Sequence, residues 1–117
     1  MLSPLELAKL TVSALDEKSA KEIKVLKTED VTVLANYFVI CTAMSTTHIK
    51  TLSDEVERVL EASGEFVRRK EGYRAGGWVL LDYGCVVVHL FLQDIREFYN
   101  LERLWGDAEE VQLTVNN

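Results

Sequence analysis

The sequence predicts an α/β (α+β) domain: a mixed sheet of about five strands with helices packed on it. Three observations carry this. Segments with apolar residues at helical spacing alternate with short β-branched runs. The run YFVICT at 37–42 is apolar nearly throughout, as suits a central strand buried on both faces. The stretch WVLLDYGCVVVHLF at 78–91 reads as two strands joined at Tyr83-Gly84.

The elements follow in order. Ser3-Pro4-Leu5-Glu6 places a capping serine, a proline at the first helical position and a glutamate three residues after the cap. Leu5, Ala8, Val12 and Leu15 then form one stripe of a helix reaching about Ala20. A short strand is expected at 23–27 and a polar break at 28–30. After the strand at 37–42, Thr46 or Thr47 is positioned to cap a helix whose stripe is Ile49, Leu52, Val56, Val59 and Leu60. Gly64 ends it, where a left-handed residue is wanted. A short strand at 66–69 and a glycine-bearing loop at 71–77 lead into the hairpin. Asp94-Ile95-Arg96-Glu97 repeats the capping-box pattern, and Phe98, Leu101, Leu104 and Trp105 make the apolar side of a last short helix. Gly106 stops it, and 107–117 reads as an acidic, loosely held tail.

Composition narrows the function. One domain accounts for all 117 residues. No apolar run approaches the roughly 20 residues that span a bilayer. The opening MLSPLELAKL reads as neither signal nor transit peptide, so a cytoplasmic location is expected. Cys41 and Cys85 lie in apolar runs and read as free core thiols. Nineteen acids against thirteen bases give a net charge of −6, which disfavours nucleic-acid phosphate as main partner and favours a basic protein. Arg68-Arg69-Lys70 is short, is followed by Glu71, and reads as a solvated strand end.

The hairpin sorts its residues into two faces. Alternate strand residues point to opposite sides. With the turn at Tyr83-Gly84, Asp82 would face Cys85, Leu80 would face Val87 and Trp78 would face His89. One side then collects Val79, Leu81, Val86, Val88 and Leu90, and helices must cover it. The other collects Trp78, Leu80, Asp82, Cys85, Val87, His89 and Phe91. A buried unpaired carboxylate is costly, so Asp82 belongs at a rim and this mixed face is partly open. Its make-up is that of a protein-binding surface. The competing reading has Trp78 under a loop and Asp82 merely capping the turn.

Catalysis finds little support. His48 and His89 lie far apart in sequence with no C-x-x-C partner, so no metal site is indicated. Ser45 and His48 stand at a helix start, where capping explains them better than a nucleophile–base pair does. The loop at 42–48 could cradle a phosphate in principle, yet Thr42-Ala43-Met44-Ser45 has neither glycine nor lysine. Asp82 is the only acid in the strands 37–42, 78–82 and 85–92, too few for two-metal chemistry. A nucleotide-binding or nucleotidyl-transferring enzyme using Thr42 to His48 is the alternative, and a plain dimerisation module a third.

The ordered set YFVICT, Ser45, His48, Glu71-Gly72, W-x-x-x-D-x-G from Trp78, V-V-H ending at His89, and R-x-x-Y-x-L-E-x-L-W from Arg96 to Trp105 resembles the ribosomal silencing factor family, also called Iojap or YbeB-like. The likeness runs from about residue 3 to about residue 110. It implies a nucleotidyltransferase-like fold without catalytic residues or cofactor. It implies binding to the large ribosomal subunit through ribosomal protein number fourteen, which blocks joining of the small subunit and represses translation when nutrients are short. Family members are commonly homodimers when free. The family usually has an acid at Asn36, a glycine at Ala43 and an acid at Cys85.

On that likeness the mixed face and the outer side of the last helix are the expected interface. Trp78 and Leu80 would be apolar anchors, Asp82 would pair with a Lys or Arg of the partner, and His89 belongs to the same face. Tyr99 would present its hydroxyl at the rim beside Glu102.

Overall fold

A computed structural model describes residues 2–113. The last four residues of the acidic tail, 114–117, lie outside the described residues, as does Met1. The elements run α1 (Pro4–Glu17), β1 (Lys21–Lys27), β2 (Tyr37–Ala43), α2 (Thr46–Ala62), β3 (Arg69–Glu71), β4 (Trp78–Asp82), β5 (Val86–Leu92), α3 (Gln93–Tyr99), α4 (Leu101–Leu104) and β6 (Glu109–Val111). The strands form one mixed sheet in the order β3-β4-β5-β2-β1-β6. β2 and β5 are parallel, and every other pairing is antiparallel. Six strands form rather than about five, because Glu109–Val111 of the tail pairs with Val25–Lys27 of β1.

The first helix begins as its sequence dictates. Ser3 Oγ accepts the Glu6 N–H at 3.1 Å, and the Ser3 N–H donates to Glu6 Oε1 at 2.8 Å. The buried stripe is Leu7, Ala8, Thr11, Val12, Ala14 and Leu15, whereas Leu5 in the first turn is 37% exposed. α2 is capped by Ser45, not by Thr46 or Thr47: Ser45 Oγ accepts the His48 N–H at 3.0 Å. Gly64 follows this helix with φ +84°, as its left-handed role requires.

Three further expectations are corrected. The strand expected at 66–69 forms at Arg69–Glu71, where Asp82 and Leu80 of β4 offer partners, and Phe66 is left 65% exposed. The hairpin pairs Asp82 with Val87, Leu80 with His89 and Trp78 with Phe91, two residues away from the register expected. The turn is longer, closed by the Tyr83 N–H on Val86 O at 2.9 Å. A slip of two keeps every strand residue on its face, since side chains alternate with period two. Only Cys85, which sits in the turn, leaves the mixed face, and it packs with the helix-side core.

The last helix is two helices. Asn100 adopts the left-handed conformation, φ 47° and ψ 61°, and its side chain accepts the Arg103 N–H. The apolar side laid along one continuous helix is therefore split: Leu101 and Trp105 turn inward, while Phe98 and Leu104 are 79% and 71% exposed. No capping box forms at Asp94, because α3 already starts at Gln93 after Leu92.

Two apolar layers result. α1 and α2 cover the face bearing Val79, Leu81, Val86, Val88 and Leu90, all fully buried. On the other face, Leu26, Phe38, Ile40 and Phe91 pack under Ile95, Leu101 and Trp105. Burying that many aliphatic side chains, at about 1.5–3 kcal/mol each, is the main force holding the sheet to its helices.

Candidate functional site

The second layer covers only part of its face. α3 and α4 lie over β2 and the near side of β5, with Trp105 edge-on to Phe38 at 5.5 Å. Toward the β3 edge, Trp78, Leu80, Asp82 and Val87 remain half-exposed. Trp78 is the hinge between the two regions. Its ring centroid lies 4.9 Å from Phe91 below and 4.7 Å from Tyr99 of α3. Its Nε1–H donates to His89 Nδ1 at 3.2 Å. Glu71, Gly72, Trp78 and Leu80 line a cavity of about 200 Å³ beside it. Gly72, with φ +82°, is required there, since a Cβ would stand 2.0 Å from the Trp78 carbonyl oxygen.

Asp82 sits at the rim, its side chain 28% accessible. Oδ1 accepts the Gly84 N–H at 2.7 Å, and Oδ2 lies 4.0 Å from Arg69 Nη2. The carboxylate therefore braces the turn while one oxygen stays near solvent. Tyr99 is 49% exposed, and the ring of Phe98 meets it edge-on at 5.1 Å. With Leu104 on α4, these side chains extend the apolar surface beyond the hairpin.

A family model described as ribosomal silencing factor during starvation matches residues 2–117. The chain belongs to the ribosomal silencing factor family. It is 40% identical over 112 residues to the ribosomal silencing factor of Halalkalibacterium halodurans, covering 96% of both chains. It is also 40% identical to that of Bacillus subtilis, covering 86% of this chain and 85% of the other. A solved structure from Chromobacterium violaceum superposes with a TM-score of 0.88 at 33% identity, covering 98% of this chain and 95% of that one. The family is one of translational regulators associated with the ribosome, not of enzymes.

Within this silencing factor, two of the expected site residues are engaged by neighbours inside the domain, one buried and one half-exposed. His89 is 4% exposed beneath Trp78. Glu102 binds the guanidinium of Arg96, whose Nη2 donates to it at 2.8 Å and Nε at 3.2 Å. Desolvation opposes ionisation of Glu102, but the hydrogen bond and charge of Arg96 outweigh it and hold the carboxyl below its usual range.

The sequence marks Arg96 as part of a capping pattern and of the family motif ending at Trp105, not as a buried junction. It is 6% exposed, and Nη1 also donates to Glu22 O and Thr42 Oγ1, both at 2.8 Å. It thus ties α3 to β1 and β2, and holds Glu22 in a left-handed conformation of φ 49°. Spacing gives no signal for this pair, because residues six apart do not meet on a continuous helix.

The loop at 42–48 borders a cavity of about 570 Å³ lined by Thr42, Ala43, Met44, Ser45 and Leu92 among others. Two of its amides are already engaged. The Met44 N–H donates to His48 Nδ1 at 2.8 Å and the His48 N–H to Ser45. Since Nδ1 accepts, Nε2 carries the proton and donates to Lys18 O at 2.8 Å. His48 is a brace between α1 and this loop. Cys41 is fully buried, and desolvation pushes its thiol up to about 12, so it is inert at neutral pH. Among the described residues, no cluster of His, Cys, Asp and Glu could hold a metal ion, and no helix is long and apolar enough to cross a membrane.

Proposed function

We propose that the silencing factor docks its half-open hairpin face on ribosomal protein number fourteen of the large subunit, and that its bulk then blocks the small subunit sterically. The single observation that supports this is the uncovered half of the sheet's second face. Trp78 and Leu80 lie there beside exposed Tyr99 and Phe98. An aromatic cluster that is ordered before binding loses little side-chain entropy when it docks. Asp82 and Glu71 at its rim, on a chain of net charge −6, suit a basic partner. Trp78 and Leu80 act as anchors, Asp82 as the charged contact and Tyr99 as the rim. His89 and Glu102 act from beneath, through Trp78 and Arg96. The protein works in the cytoplasm, where its ribosomes are, and is a homodimer when free.

The test is subunit joining followed by sedimentation. Purified protein added to large subunits should leave the two subunits apart, and isolated ribosomal protein fourteen should compete. Full joining in its presence would refute the steric reading, and silencing without that ribosomal protein would refute the partner.

A further inference from the structure

The only polar group of the Trp78 indole is turned into the protein, donating to His89 Nδ1. Because Nδ1 accepts, the proton of the neutral imidazole sits on Nε2. Nε2 is buried and has no hydrogen-bond partner among the described residues. Phe38 stands edge-on to the ring at 4.9 Å, and Phe91 lies parallel to it at 6.1 Å. Burial drives the imidazole down to about 4, so it is neutral at pH 7.

For stability alone this is a poor residue. An aliphatic side chain opposite Leu80 would occupy the same strand position with no orphaned donor and no desolvated ring. What histidine adds is an acceptor aimed at the indole. A buried polar group that costs stability and orders one surface side chain points to the use of that side chain.

We propose that His89, as the neutral Nε2–H tautomer, is the positioning residue of the docking face: it holds the Trp78 N–H inward and the indole beside Tyr99. The indole then meets its partner as an apolar plate without a free donor. Such a plate suits an aliphatic or cationic side chain of the partner, and not a carboxylate or carbonyl. This rests on the docking role proposed above for Trp78.

The test uses the full chain and purified large subunits. Long-range proton–nitrogen spectra at pH 7 should show His89 Nδ1 bare and Nε2 protonated, and a proton on Nδ1 overturns the proposal whether or not any variant folds. In His89→Leu, the Trp78 indole resonance, assigned by its loss in Trp78→Phe, should move. Affinity for large subunits should fall about tenfold while the melting temperature holds or rises. His89→Gln, which keeps an acceptor, should recover most of the affinity. Unchanged resonance and affinity in His89→Leu, or equal losses in both variants, reduce His89 to packing and overturn the proposal. If Trp78→Ala weakens binding but His89→Leu does not, the positioning role alone falls. If Trp78→Ala binds like the parent, the docking face falls too.

Discussion

Arg96 closes on Glu102 at 2.8 Å across the break at Asn100, so one buried guanidinium joins α3, α4 and two strands. That junction sets the direction in which Phe98, Tyr99 and Leu104 leave the domain. Breaking it should affect both stability and docking.

Arg96→Met should cost about 3 kcal/mol or more, because it leaves the Glu102 carboxylate, Thr42 Oγ1 and the Glu22 carbonyl without their donor. Glu102→Gln should cost less, since its side chain keeps 25% exposure and the amide can still accept. Urea denaturation of the two variants checks the order, and equal losses would show that the bonds of Arg96 to Glu22 O and Thr42 Oγ1 add nothing beyond its pairing with Glu102.

Gly72→Ala should cost roughly 2–3 kcal/mol, from a Cβ driven into the Trp78 carbonyl at a left-handed φ. The collision is with backbone, so no side-chain rotation relieves it. Trp78 fluorescence should change with it, whereas Gly64→Ala, with nothing within 4 Å of its Cβ, should lose less and leave the emission alone.

Acid should destabilise the protein through His89. Its folded-state value of about 4 lies below the unfolded value near 6.5. The unfolded chain therefore binds the proton first as pH falls. Stability is complete above about pH 6.5 and declines by about 3 kcal/mol in total as pH drops through 4. Stabilities of the parent and His89→Leu between pH 7 and 4 should diverge in acid, the parent losing more. Parallel curves would mean that the buried imidazole is not the titrating group.

Phe98→Ser and Leu104→Ser should change stability by less than about 0.5 kcal/mol, since both side chains are exposed. Trp78→Ala should weaken docking by about 2 kcal/mol, roughly 30-fold. Binding of each variant to large subunits maps the edge of the interface. A Phe98→Ser protein that binds at full strength would confine docking to the hairpin.

The fold class was legible in the sequence because it rests on local periodicity. Alternation assigned Trp78, Leu80, Val87, His89 and Phe91 to one face and the aliphatics to the other, and survived a register error because the error was an even number of residues. The capping box at Ser3 was equally local. The site was legible in outline only. Whether Trp78 was open or shut away depended on where α3 and α4 would lie, which no window of the chain contains.

By itself, then, the sequence determined the order of the main helices and strands, which sheet face is aliphatic, and the family to which the chain belongs. Tertiary structure decided the rest. It broke the last helix at Asn100, buried Arg96 against Glu102 and Thr42, drew Glu109–Val111 onto β1, and placed His89 beneath the indole. Periodicity reports how a residue relates to its chain neighbours. These contacts join segments distant in sequence, and their energies exist only once the sheet has brought those segments together.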